Sequence, residues 1–356
     1  MIFDKFKKLL RRNYYPLNEI RISRKTLIKN YKNLCLINKN IRVAPVLKSN
    51  AYGLGIIEAA KILEPFEPPF FCVDSIYEAY KLYKARVKTA VLIMGYVDPK
   101  NLSLKRLPFS YAVSDLNQFN SILKNQPQAK IHIFVDTGMH REGLPLDDLK
   151  RFADNIQEGQ KKSIEGLMSH FAASEEPDND KTKNQVRDFK KATEILAASG
   201  IFPRWKHIAN SSGLLNSRKL HLEKVSNLGR AGIALYDSTV KFVTHICQVK
   251  SIKKGDAVGY NFTYTAKKDS TIAVLPVGYN DGVDRSLSNL GKIKLHGLTR
   301  SIIGRVSMNI TVVDVTGIKD ARVGDEVEML FNQPVGGRIS YEFFVHLNPE
   351  TKRVVV

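Results

Sequence analysis

A short β-branched or apolar run followed by an amphipathic stretch recurs eight times between residues 41 and 237. The runs are Ile41–Lys48, Phe70–Asp74, Lys88–Gly95, Ser110–Asp115, Lys130–Gly138, Ser163–Phe171, Arg204–Ser211 and Asn227–Asp237. Stretches of helical period lie between them, among them Leu54–Leu63, Ile76–Ala85, Leu146–Gln157 and Asn184–Ser199. Strands that alternate with helices build a parallel sheet, because a parallel partner is reached only by a crossover. Eight such units in about 200 residues is the count of a closed (β/α)8 barrel. An open doubly wound sheet is the competing architecture. It calls for a glycine-rich phosphate turn after the first strand, and SNAYGLG matches G-x-G-x-x-G poorly.

The texture changes after about residue 240. Thr271–Val277, Gly291–His296, Ile302–Ser307, Thr311–Val315 and Glu326–Leu330 read as strands broken by Gly and Asp turns. With no long helical stretch between them, they describe a separate β domain. The expected division is a basic N-terminal helix over residues 1–13, a barrel over 14–240 and a β domain over 241–356. The alternating segment Leu17–Ile22 is a candidate extra strand for that second domain.

Composition narrows the function classes. The 55 Lys and Arg exceed the 35 Asp and Glu by 20. Residues 1–40 hold eleven of those bases against two acids. Such a surface favours anionic ligands, but net charge speaks to association rather than fold. A solvated basic N-terminus is the simplest account, and contact with acidic surfaces stays open. The three cysteines, Cys35, Cys72 and Cys247, are too few and too scattered for a disulfide framework or a zinc site. They read as buried small hydrophobes in a reducing compartment. No apolar run approaches the ~20 residues of a membrane helix. The N-terminal bases are interleaved with apolar residues, unlike a secretory signal. Both observations point to a cytoplasmic protein.

Barrel chemistry sits at the C-terminal ends of the strands. Lys48 closes the first run; there it snorkels, pairs, or serves as a nucleophilic amine able to form a Schiff base, as with pyridoxal phosphate. Arg141, beside glycines after run five, can fork around a carboxylate or lie on the surface. His170 ends run six as a core histidine or a functional one. Asn210 and Ser211 stand where a helix begins, as caps or as anion donors. Gly232 permits close backbone approach, and Arg230 lies two residues earlier on the same strand face.

The segments APVLKSNAYGLG, DTGMHREGL, HIANSSG, GRAGIALYD, LPVGYNDG, GRVSMN and RISYE occur in one order along the chain. In that order they resemble alanine racemase, a fold-type III pyridoxal-phosphate enzyme, over nearly the whole length. The resemblance implies a (β/α)8 barrel, then a mostly-β domain, in a homodimer with shared active sites. It implies pyridoxal 5'-phosphate in Schiff-base linkage with Lys48, with Tyr52 and Tyr341 at the phosphate. It implies further cofactor contacts from Asn210, Ser211, Gly232 and Ile233, His170 beside the pyridine ring and Arg230 facing its nitrogen. Arg141 and Met308 match substrate-binding positions. Tyr279, from the partner subunit, matches a second catalytic base opposite Lys48. The implied role is interconversion of L- and D-alanine for peptidoglycan, with a small amino acid as substrate and neither metal nor nucleic acid required.

Two positions depart from the family pattern. Phe134 stands where a carbamylated lysine usually orients the arginine matching Arg141, so a chloride or a nearby acidic side chain must replace it; chloride is the expectation. Asn309 stands where an aspartate usually follows SM, which removes one negative charge beside Met308. The alternatives are a broader racemase for serine or lysine, a fold-type III decarboxylase, and a non-catalytic cofactor carrier or basic nucleic-acid-binding protein.

Overall fold

The computed structural model describes residues 15–330 and 340–356, with side chains from Tyr341 in the second stretch. The expected N-terminal helix over 1–13 lies outside the described residues. The chain forms two units, one of residues 23–239 and one of 1–22 with 240–356.

Eight parallel strands form the first unit: β2 (Arg42–Pro45), β3 (Phe71–Val73), β4 (Val91–Ile93), β5 (Phe109–Val113), β6 (Lys130–Asp136), β7 (Ile164–Met168), β8 (Trp205–His207) and β9 (Leu228–Ala231). β3 to β8 pair in sequence order, and β9 pairs with β2. Single parallel bridges, Val46 to Cys72 and Ala209 to Gly229, join those two sheets and close the ring. Each of the eight sequence runs coincides with one strand, β5 beginning one residue ahead of its run at Phe109. The strands are nearly all apolar because both faces are covered, as expected of a parallel sheet. Side chains at strand ends carry the polarity.

The surrounding helices start where the sequence supplies a cap. Ser23 Oγ accepts from Thr26 N (3.2 Å) at the head of α1 (Arg24–Ile37). Ser75 caps α2 (Ile76–Lys84) and Asp115 caps α3 (Leu116–Asn125) in the same way. Each side chain satisfies one amide that the first turn leaves without a partner. The longest helix, α4 (Asp180–Ala198), buries Gln185, Phe189, Ala192 and Leu196 at three- and four-residue spacing.

In the second unit, β1 (Glu19–Ile22) lies inside a six-stranded sheet. It runs antiparallel to β10 (Val240–His245) and parallel to β17 (Lys352–Val355). β13 (Lys292–Leu295), β14 (Leu298–Ser301) and β16 (Glu326–Leu330) continue the sheet beyond β10. β11 (Gln248–Ile252), β12 (Ser270–Leu275) and β15 (Thr311–Asp314) form a second sheet. Ile20, Phe242, Leu275, Ile293, Val313 and Val327 share one core between them.

Two expectations need correction. Ile302–Ser307 is not a strand: Ile302 makes a single bridge to Val313, and the chain then turns through Gly304 at φ 71°. Of the three cysteines only Cys72 is buried; Cys35 is half-buried and Cys247 is exposed. Among the described residues no helix is long and apolar enough to cross a membrane.

Candidate active site

The nine candidate residues of the first unit line one cavity of about 670 Å³. Lys48, Tyr52, Arg141, His170, Asn210, Ser211, Arg230, Gly232 and Ile233 all contribute to its wall. They follow β2, β6, β7, β8 and β9, the strand ends where a barrel concentrates its chemistry. Three cations face this space, with Asp74, Glu142 and Asp237 as its carboxylates.

Lys48 begins an unusual turn. Ser49, Asn50, Ala51 and Tyr52 all have φ between 52° and 55°, the left-handed helical region. For side chains larger than glycine this costs roughly 1–2 kcal/mol per residue. Glu78 at the start of α2 holds the turn: one carboxylate oxygen accepts from Asn50 N (3.1 Å), the other from Asp74 N (2.9 Å). Asn50 Oδ1 in turn accepts from Ile56 N (3.0 Å). Through this turn both Lys48 and Tyr52 reach the cavity. The Lys48 side chain is 37% exposed and its amine lies 3.8 Å from Asp74 Oδ1, so it is both partly solvated and paired. The Tyr52 ring packs on Tyr236, whose hydroxyl donates to Val46 O (2.7 Å).

Against Tyr52 the wall is a backbone cradle. Ser211 Oγ accepts from Gly232 N (3.1 Å) and Ala234 N (3.2 Å). A Cβ at Gly232 would stand 2.4 Å from Tyr52 Oη, so this position needs the missing side chain. Asn210 is committed as a cap: Oδ1 accepts from Gly213 N (2.9 Å) and from Ser174 Oγ (2.6 Å). The capping reading of Asn210 therefore holds, and its oxygen is already satisfied.

Arg230 crosses the cavity floor, 3% exposed. It donates to His207 O (2.8 Å), His207 Nδ1 (2.6 Å), Ser169 O (2.5 Å) and His170 Nδ1 (3.0 Å). Burial pulls its guanidinium down to about 10. His170 falls to about 3, first through burial and then through the charges of Arg230, Arg141 and Lys48. It is therefore neutral near pH 7.

Phe134 is buried against Ala112 and Met168. Arg141 is half-exposed, and its Nε lies 3.4 Å from Glu142 Oε2. An acidic neighbour is thus present beside Arg141.

Sequence reasoning missed the groups beneath Arg230. His207 and His132 are fully buried; His132 lies in the middle of β6, and His207 ends β8 in contact with Arg230. Both occupy alternating strand positions like apolar core residues, so no spacing marks them.

In the other unit, Tyr279 and Met308 share a turn. Tyr279 N donates to Ser307 O (3.0 Å) and Asn280 N to Met308 O (2.9 Å). A Cβ at Gly278 would meet Ser307 O at 2.2 Å, so only glycine lets the two segments touch. Tyr279 is 42% and Met308 55% exposed. Tyr341 lies on a short helix, Ser340–Val345, half-buried.

Comparisons with known proteins agree with this arrangement. The family model for the alanine racemase N-terminal domain matches residues 22–239, and that for the C-terminal domain matches 239–355. Alanine racemase 1 of Caldanaerobacter subterraneus subsp. tengcongensis is 33% identical over 318 residues, 84% of this chain and 81% of that protein. The alanine racemase of Fusobacterium nucleatum subsp. nucleatum is 32% identical over 361 residues, 95% and 99% of the two chains. Among solved structures, alanine racemase from D-cycloserine-producing Streptomyces lavendulae superposes with a TM-score of 0.87 at 22% identity, over 97% of this chain and 98% of that one. Alanine racemase from Bartonella henselae with covalently bound pyridoxal phosphate gives 0.81 at 24%, over 96% and 100%. Two matched domains and identity above three in ten across almost the full length place one conclusion beyond the fold: this chain belongs to the alanine racemase family.

Proposed function

We propose that the chain interconverts L- and D-alanine with pyridoxal 5'-phosphate held by Lys48, using Lys48 and the Tyr279 of a partner copy as its two bases. The observation that carries the reading is the single cavity lined by Lys48, Arg141, His170 and Arg230 with the Ser211–Gly232 cradle. The residues suit the group. A phosphate needs converging N–H groups and nearby positive charge, and in this cavity the Gly232 and Ala234 amides converge on one atom, Ser211 Oγ, with Tyr52 beside them and Lys48 on the same wall. When bound, pyridoxal phosphate acidifies the α-proton of an attached amino acid by drawing electrons into its ring.

The rest falls to side chains of this chain. Racemisation takes a proton from one face of a planar carbon and returns one to the other, so one proton carrier is required per face. Lys48 supplies an amine on the cavity wall. Tyr279 presents an exposed phenol on a turn shared with Met308, which suits it to serve a neighbouring copy in a homodimer. Arg141 holds the substrate carboxylate in its planar fork, together with the Met308 backbone. Arg230 does not readily give up its proton. Facing the pyridine nitrogen of the bound cofactor, it would leave that nitrogen without a proton, which would weaken the ring as an electron sink and disfavour transamination.

Arg141 needs an anion to fix its orientation, and chloride or Glu142 can supply it. Racemisation that responds to halide assigns chloride; indifference assigns Glu142. Asn309, one charge poorer than the family pattern, bears on rate and pH optimum. Family membership supports a role in supplying D-alanine to peptidoglycan in the cytoplasm.

The test is racemisation of L-alanine in deuterated water, with borohydride reduction and peptide mapping. The expected result is solvent deuterium at Cα in D-alanine and a reduced pyridoxyl group on Lys48. Lys48→Ala is expected to lose both, with activity down by about 10⁴-fold or more, as for other essential covalent or base residues. Equal or faster turnover of L-serine or L-lysine would replace alanine specificity by the broader racemase reading.

A further inference from the structure

Beneath Arg230 a chain of buried polar groups crosses the barrel. His207 Nδ1 lies 2.6 Å from Arg230 Nη1, His207 Nε2 lies 2.8 Å from His132 Nδ1, and His132 Nε2 lies 3.6 Å from Glu165 Oε2. Both imidazoles are fully buried, while the Glu165 side chain is 25% exposed on β7.

Donor and acceptor rules fix the protons. A guanidinium has N–H donors and no acceptor. His207 Nδ1, within 2.6 Å of one, must therefore accept. Neutral His207 then carries its proton on Nε2 and donates to His132 Nδ1. Neutral His132 carries its proton on Nε2, aimed at Glu165. Among the described residues that nitrogen has no hydrogen-bond partner, and Glu165 Oε2 faces it at 3.6 Å as an ion-pair contact. Burial, chiefly, keeps both rings neutral, with the Arg230 charge adding to it. Reversing either ring would set two donors face to face in the core. The strand that carries Glu165 is also shaped for this chain: a Cβ at Gly166 would stand 2.1 Å from His132 Nδ1.

We infer that Glu165 is a positioning residue for Arg230, acting through His132 and His207. Its carboxylate faces the one imidazole N–H that these tautomers leave without a hydrogen-bond partner, and its charge offsets that of a buried cation in contact with no carboxylate among the described residues. Contact with His132, and then Lys130 and Arg204, holds the Glu165 carboxyl below its ordinary value, so the charge persists at neutral pH. The inference rests on the reading above only in taking Arg230 to face the cofactor's pyridine nitrogen; the tautomers depend on the protein alone.

The experiment measures ¹⁵N shifts of the two histidines in wild type, Glu165→Gln and Glu165→Ala, each with and without pyridoxal phosphate. It is paired with kcat and KM for L-alanine and the absorption maximum of the bound cofactor. Wild type is expected to show both rings protonated on Nε2. Glu165→Ala should keep the tautomers that the guanidinium sets but shift the His132 Nε2 resonance, displace the absorption maximum and lower kcat by about tenfold, the low end for removing a group that orients a reactive one. KM should change less than about twofold, because ground-state substrate contacts are untouched. In Glu165→Gln the amide oxygen still accepts, so the His132 Nε2 resonance should shift less and kcat should fall less. This variant keeps the test open if the alanine form does not fold. A wild type with either ring protonated on Nδ1 overturns the inference. So do an unchanged His132 Nε2 resonance, spectrum and kcat in Glu165→Ala alongside a lowered melting temperature, which would mark a purely structural residue. A wild type with the stated tautomers but no racemase activity would defeat the functional reading and leave the relay standing.

Discussion

Lowering the pH from 7.5 to 5.5 should weaken the barrel well before its carboxylates titrate. His170 falls to about 3 in the fold and His207 lies well below its ordinary value, both first through burial. Unfolded, each titrates near 6.5. Between about pH 6.5 and 3 the unfolded chain therefore binds protons that the folded chain refuses. Stability then rises with pH and is lost as pH falls below 6.5. One unit below 6.5, each such histidine costs roughly 1.4 kcal/mol, so the two together cost about 3 kcal/mol. His132, also lowered by burial, acts in the same direction. At a urea slope of ~2 kcal/mol/M the midpoint should drop by about 1 M or more. The assay has a local reporter: the single tryptophan, Trp205, sits on β8 with Phe70 edge-on and His207 two residues away. Its fluorescence follows the barrel without the β domain, which avoids treating two units as one transition. Replacing His207 by Asn should flatten the dependence by about half while lowering stability at pH 7.5. A midpoint that does not move between pH 7.5 and 5.5 would refute the claim that these imidazoles are buried neutral.

Two further tests address the cavity walls. Gly232→Ala would push a methyl to 2.4 Å from Tyr52 Oη, so the phenol must leave the cradle; pyridoxal phosphate affinity, read by Trp205 quenching, should fall by about tenfold, or ~1.4 kcal/mol. Glu78→Ala removes two carboxylate bonds to backbone amides at Asn50 and Asp74; the barrel should lose about 3 kcal/mol, and the Asn50 amide should exchange faster with solvent.

Much of the architecture is legible in the chain. All eight barrel strands fall on the apolar runs, with β5 starting one residue early at Phe109, because a strand covered on both faces is largely apolar. The caps Ser23, Ser75 and Asp115 stand where the sequence places small polar residues ahead of helical periods. The β domain is less legible. Ile302–Ser307 has strand composition but turns at Gly304, while β10, β11 and β17 escaped notice. In short strands, composition reports a half-buried surface rather than a partner.

The site divides along the same line. Lys48, Arg141, His170 and Gly232 could be named from the sequence because barrels put chemistry at strand ends, and those ends can be counted along a chain. The left-handed turn after Lys48 could not, since Ser-Asn-Ala-Tyr has no local preference for it; Glu78, 28 residues away from Asn50, holds it there. His132 and His207, 75 residues apart, are two core positions by pattern and become a hydrogen-bonded pair only when the ring closes. Periodicity and strand-end position are local properties, so sequence alone determined the barrel and which polar side chains stand about its strand ends. The tautomers, the neutral histidines and the strain beside Lys48 depend on burial and on partners distant in sequence, and only the folded chain decides those.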